Sequence, residues 1–219
     1  MRRARPGWLF GAALLALFVP RLIPWLLVFP FHTQAGAYEV WSESPIDGSR
    51  LGGIVAQATK RLAASPIYAS PERRNLYLTH GGWRWKWLTL SLNGAFAISP
   101  PIGNAIIVNS NSIADDGVWN GQPTGGHRTL TGIIAHETCH GMERARFGLA
   151  ADWSKPTWMR EGYCDYVAQE SSLTDADVAK LAAEHRDHPA LPYYYGRRRV
   201  AAILAANGGS IDKLFGGDK

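Results

Sequence analysis

The stretch His136-Glu137-Thr138-Cys139-His140 sets two imidazoles four residues apart, with a carboxylate directly behind the first. It follows the apolar run Leu130-Thr131-Gly132-Ile133-Ile134-Ala135, and together they predict a helix. On a helix, residues four apart are offset by roughly 40° around the axis and one turn along it. His136 and His140 then share one stripe, the arrangement that clamps a single tetrahedral metal ion. Glu137 lies about 100° away, badly placed as a third ligand and well placed to reach a water on the metal. Two ligands plus a base is the division of labour of metal-assisted hydrolysis. The same letters also arise in ordinary amphipathic helices, so the reading depends on what the rest of the chain supplies.

Residues 156–168, Pro-Thr-Trp-Met-Arg-Glu-Gly-Tyr-Cys-Asp-Tyr-Val-Ala, supply a second half. Glu161 follows His140 with 20 residues between, room for one helix to end and another to return. Here the chain resembles the gluzincins, zinc metallopeptidases of the MA clan with HExxH and a glutamate on the next helix. Pro156, Trp158, Met159, Glu161, Gly162 and Tyr166 are in register with the usual second-helix pattern, and Cys164 stands where alanine is commoner. The resemblance covers residues 130–168. It implies an α+β fold, a small zincin-like metallopeptidase domain holding Zn2+ through His136, His140 and Glu161. The implied reaction is peptide-bond hydrolysis with Glu137 as general base and a peptide or protein as substrate. The metzincin pattern is excluded, because Glu143 and Arg146 stand where it requires glycine and histidine. Glu143 is expected to project a turn beyond His140 and pair with an arginine. Asp152, in the connecting loop, is the weaker rival as third ligand.

Asp165 lies four residues after Glu161, on the same helix face. A metal-bound imidazole usually donates its other N–H to a carboxylate, and the resemblance implies the same role for Asp165. An oxyanion in such a reaction needs a further donor. Gluzincins often take it from a tyrosine or histidine downstream, which makes Tyr193, Tyr194, Tyr195, His185 and His188 the candidates. Tyr193 fits best, through a Tyr-x-x-Gly echo running from Tyr193 to Gly196.

The elements around these residues follow from local pattern. Residues 51–65 have helical apolar spacing and stop at Pro66. Residues 75–80 and 83–92, joined by Gly81-Gly82, read as a hairpin, with Trp83, Trp85 and Trp87 on one strand face. That aromatic stripe is expected to pack into the core or meet a membrane surface, ahead of stacking on a sugar or lipid headgroup. Residues 104–109 form a further strand, resembling in position the edge strand on which these peptidases hold substrate. Residues 110–127 read as a long polar loop with a turn at Asp115-Asp116-Gly117. Helices are then expected from Thr129 to Phe147, closed by Gly148; from Pro156 to Glu170; from a Thr174…Asp177 capping pattern; and over 193–207. A short one follows at 210–215.

The net charge of +5 comes mostly from Arg2, Arg3, Arg5 and Arg21; beyond residue 31 there are 19 basic and 18 acidic residues. No basic face remains for nucleic acid, which is therefore not an expected partner. Residues 1–31 are expected to be a membrane-targeting segment. From 8 to 31 the chain is apolar apart from Arg21, long enough at about 1.5 Å per residue to cross a ~30 Å hydrocarbon core. The span length favours an uncleaved N-terminal hydrophobic helix as anchor. A cleaved signal peptide ending at Ala35-Gly36-Ala37 is the alternative. Either way the N-terminus stays cytoplasmic and the catalytic domain is periplasmic or extracellular. Residues 32–50 read as a linker or extended lead-in, and 51–219 as the domain. Cys139 and Cys164 could form one disulfide or stay as buried thiols. His32, His80 and His127 lack metal spacing. A catalytically inactive, membrane-tethered scaffold is the rival function, opposed by the joint presence of ligands and base. An intramembrane protease is disfavoured by Glu143, Arg144 and Arg146 on the zinc helix.

Overall fold

The computed structural model describes residues 23–90 and 94–216, together with Gly11, Phe18 and Val19. Half of the expected anchor, residues 8–31, lies outside the described residues; in the described half Pro24–Leu27 is a short 3-10 helix and Phe31 begins a strand, which corrects the expectation of one helix reaching residue 31. Among those described, no helix is long and apolar enough to cross a membrane. The described chain is a mixed α+β fold.

Residues 32–42, within the stretch 32–50 expected to be linker or lead-in, form strands of the main sheet. Strands β1 (Phe31–Ala35) and β2 (Tyr38–Ser42) form an antiparallel hairpin. Gly36, at φ 57°, makes the turn, a backbone angle that glycine adopts without steric cost. β2 then pairs parallel with β3 (Arg74–Leu78), and β3 parallel with β5 (Ala105–Val108); the short β4 (Ala97–Ile98) closes that side antiparallel to β5. The sheet order is β1-β2-β3-β5-β4, so β5 is interior and β4 is the edge. The edge-strand expectation for 104–109 is corrected accordingly: all four β5 residues are buried. The unbroken apolar run Ala105-Ile106-Ile107-Val108 is the local pattern of a strand buried on both faces, and the edge-strand expectation did not use it.

Helix α1 (Gly48–Ala63) is capped by the Asp47 carboxylate, which accepts from the Arg50 N–H at 3.0 Å. Leu51, Ile54, Val55, Ala58 and Leu62 form its buried stripe, joining Val40, Leu76, Ile106 and Val108 from one sheet face. The second expected strand, 83–92, is instead helix α2 (Trp83–Thr89). The alternating tryptophans suggested period two, but the chain uses period 3.6. Trp85 and Leu88 turn inward to Phe29, Tyr77 and Ile107 on the opposite sheet face, while Trp83 and Trp87 stay exposed. Core packing thus takes one tryptophan rather than three.

The loop 110–127 contains two more strands. β6 (Ser110–Ser112), β7 (Gly117–Trp119) and β8 (His127–Thr129) make a small antiparallel sheet leading directly into α3 (Leu130–Phe147). The α3 N-terminus is capped three ways. Thr129 Oγ1 accepts from the Gly132 N–H, and Asp116 Oδ1 accepts from the Thr131 N–H at 2.8 Å. Glu170 Oε1 accepts from the Thr129 N–H at 2.8 Å. Residues 130–143 of α3 are buried, and Gly148 ends the helix. The short α4 (Ala151–Ser154) lies in the connection to α5 (Thr157–Ala168). Then come α6 (Asp175–Ala183), with the Thr174–Asp177 capping box formed, α7 (Leu191–Ala206) and α8 (Ile211–Gly216).

Candidate metal centre

His136 and His140 face the same way from α3, and α5 crosses so that Glu161 meets them. His136 Nε2 lies 3.2 Å from His140 Nε2. Glu161 Oε2 lies 3.3 Å from the first of these nitrogens and 3.4 Å from the second. These three atoms form a nearly equilateral triangle and could hold a metal ion. Ligands bonded at about 2.0–2.1 Å to a tetrahedral cation stand about 3.3–3.4 Å apart, which the triangle matches. Asp152 is not part of it: its carboxylate accepts from Arg144 Nε at 2.8 Å.

Carboxylates stand behind both imidazoles. Asp165 Oδ1 is 2.8 Å from His136 Nδ1 and 2.9 Å from the Arg128 guanidinium, and its other oxygen accepts from the Ser171 hydroxyl at 3.2 Å. Arg128 also donates from Nε to Glu170 at 3.2 Å, tying the β8 strand to the end of α5. On the other side, His140 Nδ1 is 3.1 Å from Glu143 Oε2 and 3.4 Å from Cys164 Sγ. Glu143 therefore does not pair with an arginine, as was expected. It sits three residues after His140, one turn on, and folds back onto that imidazole. The i,i+3 spacing was available in the sequence; what hid the role was expecting the carboxylate to project beyond His140 toward an arginine. Arg128 and Glu170 carried no such signal, because their contacts span 42 residues.

Electrostatics follows from this packing. Burial disfavours charge on His136 and His140, but the facing carboxylates outweigh it. Asp165 and Glu161 raise the pKa of His136, and Glu161 and Glu143 raise that of His140 well above the usual imidazole value. Glu161 is driven the other way: burial favours its neutral form, yet the two histidines hold it well below the usual carboxylate range. Asp165 is likewise lowered, against burial, by Arg128 and His136. Burial raises Glu143, and raises both thiols. Cys139 and Cys164 are buried free thiols, so the expected alternatives resolve to the unbonded one.

The triangle opens into a cleft of about 680 Å³. Glu137 lines it, as do Tyr193 and His188; residues 94–99 around β4 form one wall. His185 is exposed and does not line the cleft. Tyr194 turns away, donating its hydroxyl to Asp175 at 2.7 Å, and Tyr195 is exposed. Tyr193 is brought to the cleft by close backbone contact between α5 and α7. A Cβ added at Gly162 would stand 2.4 Å from the Gly196 carbonyl carbon, and one at Gly196 would stand 2.6 Å from the Trp158 carbonyl oxygen. Only glycine at both positions lets α7 lie that near to Glu161. Burial, then Glu161 and Asp165, raise the Tyr193 pKa, so its phenol stays protonated and able to donate.

No family model, no curated protein and no solved structure matches the chain.

Proposed function

We propose that this protein is a zinc metallopeptidase of gluzincin-like architecture that hydrolyses peptide bonds, anchored to or exported across a membrane by its N-terminal segment. The observation that carries the reading is the triangle of His136, His140 and Glu161 at tetrahedral spacing, with Glu137 in the same cleft. Two nitrogens and one carboxylate oxygen, with a side open to the cleft, is a donor set suited to a catalytic zinc site. Bound there, zinc supplies Lewis-acid chemistry, drawing the pKa of a water toward about 7 and polarising a carbonyl.

The chain's own residues account for the rest. Glu137 accepts a proton from the attacking water and returns it to the leaving amine nitrogen. Tyr193 donates its phenolic hydrogen toward the carbonyl oxygen as negative charge develops there. Asp165 and Glu143 hold the two imidazoles by their Nδ1 atoms, keeping each Nε2 aimed at the site. Arg128 holds Asp165 in turn. The open edge of β4, forming the cleft wall, is where an extended peptide would add as a strand.

The deciding experiment pairs metal analysis with hydrolysis. The purified protein should carry about one zinc per chain, as a single three-ligand site requires. Glu137→Gln should keep that zinc and lose cleavage of every substrate found for the parent in a proteome-wide comparison. A Glu137→Gln protein that cleaves as the parent does would remove the base assignment.

A further inference from the structure

Helix α2 is amphipathic in an unusual sense, with apolar residues on both faces. Trp85 and Leu88 fill the core beneath it. Trp83 and Trp87, spaced i, i+4, point outward, and Leu90, in the left-handed C-cap just past the helix end, is exposed beside them. They are 57%, 39% and 55% exposed, and Val28 beside them is 72% exposed. Ile23 and Leu26 are also exposed, so the apolar surface continues up the chain. Large exposed apolar surface of this kind marks an interaction site.

The approach of the chain to this surface is fixed. Arg84 Nε donates to the Leu27 carbonyl at 2.9 Å, its Nη2 to the Val28 carbonyl at 2.8 Å, and its Nη1 to Glu43 at 2.6 Å. The same guanidinium lies 4.6 Å from the Trp83 ring and 5.6 Å from the Phe29 ring. Residues 27–29 are thus clamped to α2. Upstream, the sequence from Trp8 to Leu26 is apolar apart from one charged residue, Arg21. The segment α2 itself, Trp-Arg-Trp-Lys-Trp-Leu-Thr, has two cations and no acid.

We infer that the outward face of α2, made by Trp83, Trp87 and Leu90 with Val28, seats the domain on the interfacial layer of a lipid bilayer. Three features select a bilayer as the occupant. The surface lies where the apolar N-terminal chain enters the domain. Its indole rings are the side chains that concentrate at headgroup level, where one end is apolar and the other is wet. Lys86, exposed on the same short helix, can extend its ammonium to anionic headgroups while its stem stays on the apolar surface. The contact rests on the membrane attachment proposed for the N-terminal segment, and it is separate from the metal centre and from any hydrolysis there.

The test uses the full chain reconstituted in vesicles of phosphatidylcholine and phosphatidylglycerol. Tryptophan emission of the parent is compared with that of Trp83→Phe/Trp87→Phe, which keeps the apolar area and removes two fluorophores. The difference isolates those two indoles from the other tryptophans. Acyl chains brominated near their headgroup end should quench that difference emission, and aqueous iodide should leave it intact. Quenching by iodide and not by bromine would put the face in water and overturn the inference. Protection from both quenchers would mean a protein surface, from a second copy or from the N-terminal segment, covers it instead, which also overturns it. The single variants repeat the subtraction one fluorophore at a time should the double variant lose its near-ultraviolet circular dichroism.

Discussion

At the level of single residues, the centre is a chain of charges in which each member fixes the next. Arg128 holds Asp165, Asp165 faces His136, the two histidines face Glu161, and Glu143 closes the far side. Removing one link should be felt by the others. Asp165→Asn should lower metal affinity by about 10–100-fold, the usual cost of losing a carboxylate behind a ligand imidazole. It should also destabilise the fold by about 3 kcal/mol, since buried Arg128 keeps only Glu170. Metal titration and urea denaturation measure the two effects separately. Glu143→Gln should lower metal affinity while leaving Arg128 paired, so its stability loss should be the smaller. The same charges set a pH dependence. The His136 and His140 pKa values are raised, so protons compete for these nitrogens from above the ordinary imidazole range. Metal affinity should therefore fall as pH drops toward and through about 6.5, by about one decade per unit while one imidazole is protonated and about two once both are. In the metal-free protein the sign reverses. Protonated histidines beside Glu161 add stability at low pH, and that contribution is lost as pH rises through their folded pKa values. Denaturant midpoints across pH, with and without chelator, would show the two opposite slopes.

The arrangement of elements explains how residues from distant parts of the chain meet. α3 carries His136, Glu137, His140 and Glu143 on one rigid rod, and its burial leaves little freedom for those side chains. α5 brings Glu161 and Asp165, and its approach to α7 depends on Gly162 and Gly196. Gly196→Ala would place a methyl within 2.6 Å of backbone that cannot yield as a side chain can. Overpacking of this kind costs about 1–3 kcal/mol, and here it should also displace Tyr193 from the cleft. The expected result is a lower melting temperature together with a lower turnover at unchanged zinc content. A change in melting temperature alone would separate the packing of α7 from the position of Tyr193. Local sequence revealed α3, α5, α6 and α7, through apolar period and capping residues such as Thr129 and Thr174. It misjudged α2, where alternating tryptophans resemble a strand until Trp85 is seen to need the sheet beneath it. The β1–β2 hairpin was hidden for a related reason, since β3, the strand that β2 extends, lies 32 residues on.

For the whole molecule, the candidate metal centre joins two helices, α3 and α5. A ligand bound only by the folded state stabilises it by mass action, about 4 kcal/mol when its free concentration is 1,000 times its dissociation constant. Chelation should therefore lower the melting temperature, and zinc alone should restore it; calorimetry on the same sample reads both. Local pattern was enough to find the helix that carries His136, Glu137 and His140, the helix that carries Glu161, and the Thr129 and Thr174 caps, because each rests on residues within a few turns of one another. Long-range packing set the rest: β4 is an edge strand beside the cleft, Glu143 meets His140, Arg128 meets Asp165, and α2 turns two tryptophans outward. Each of those depends on which distant segment arrives to cover a surface or meet a charge, and short-range periodicity carries no record of that.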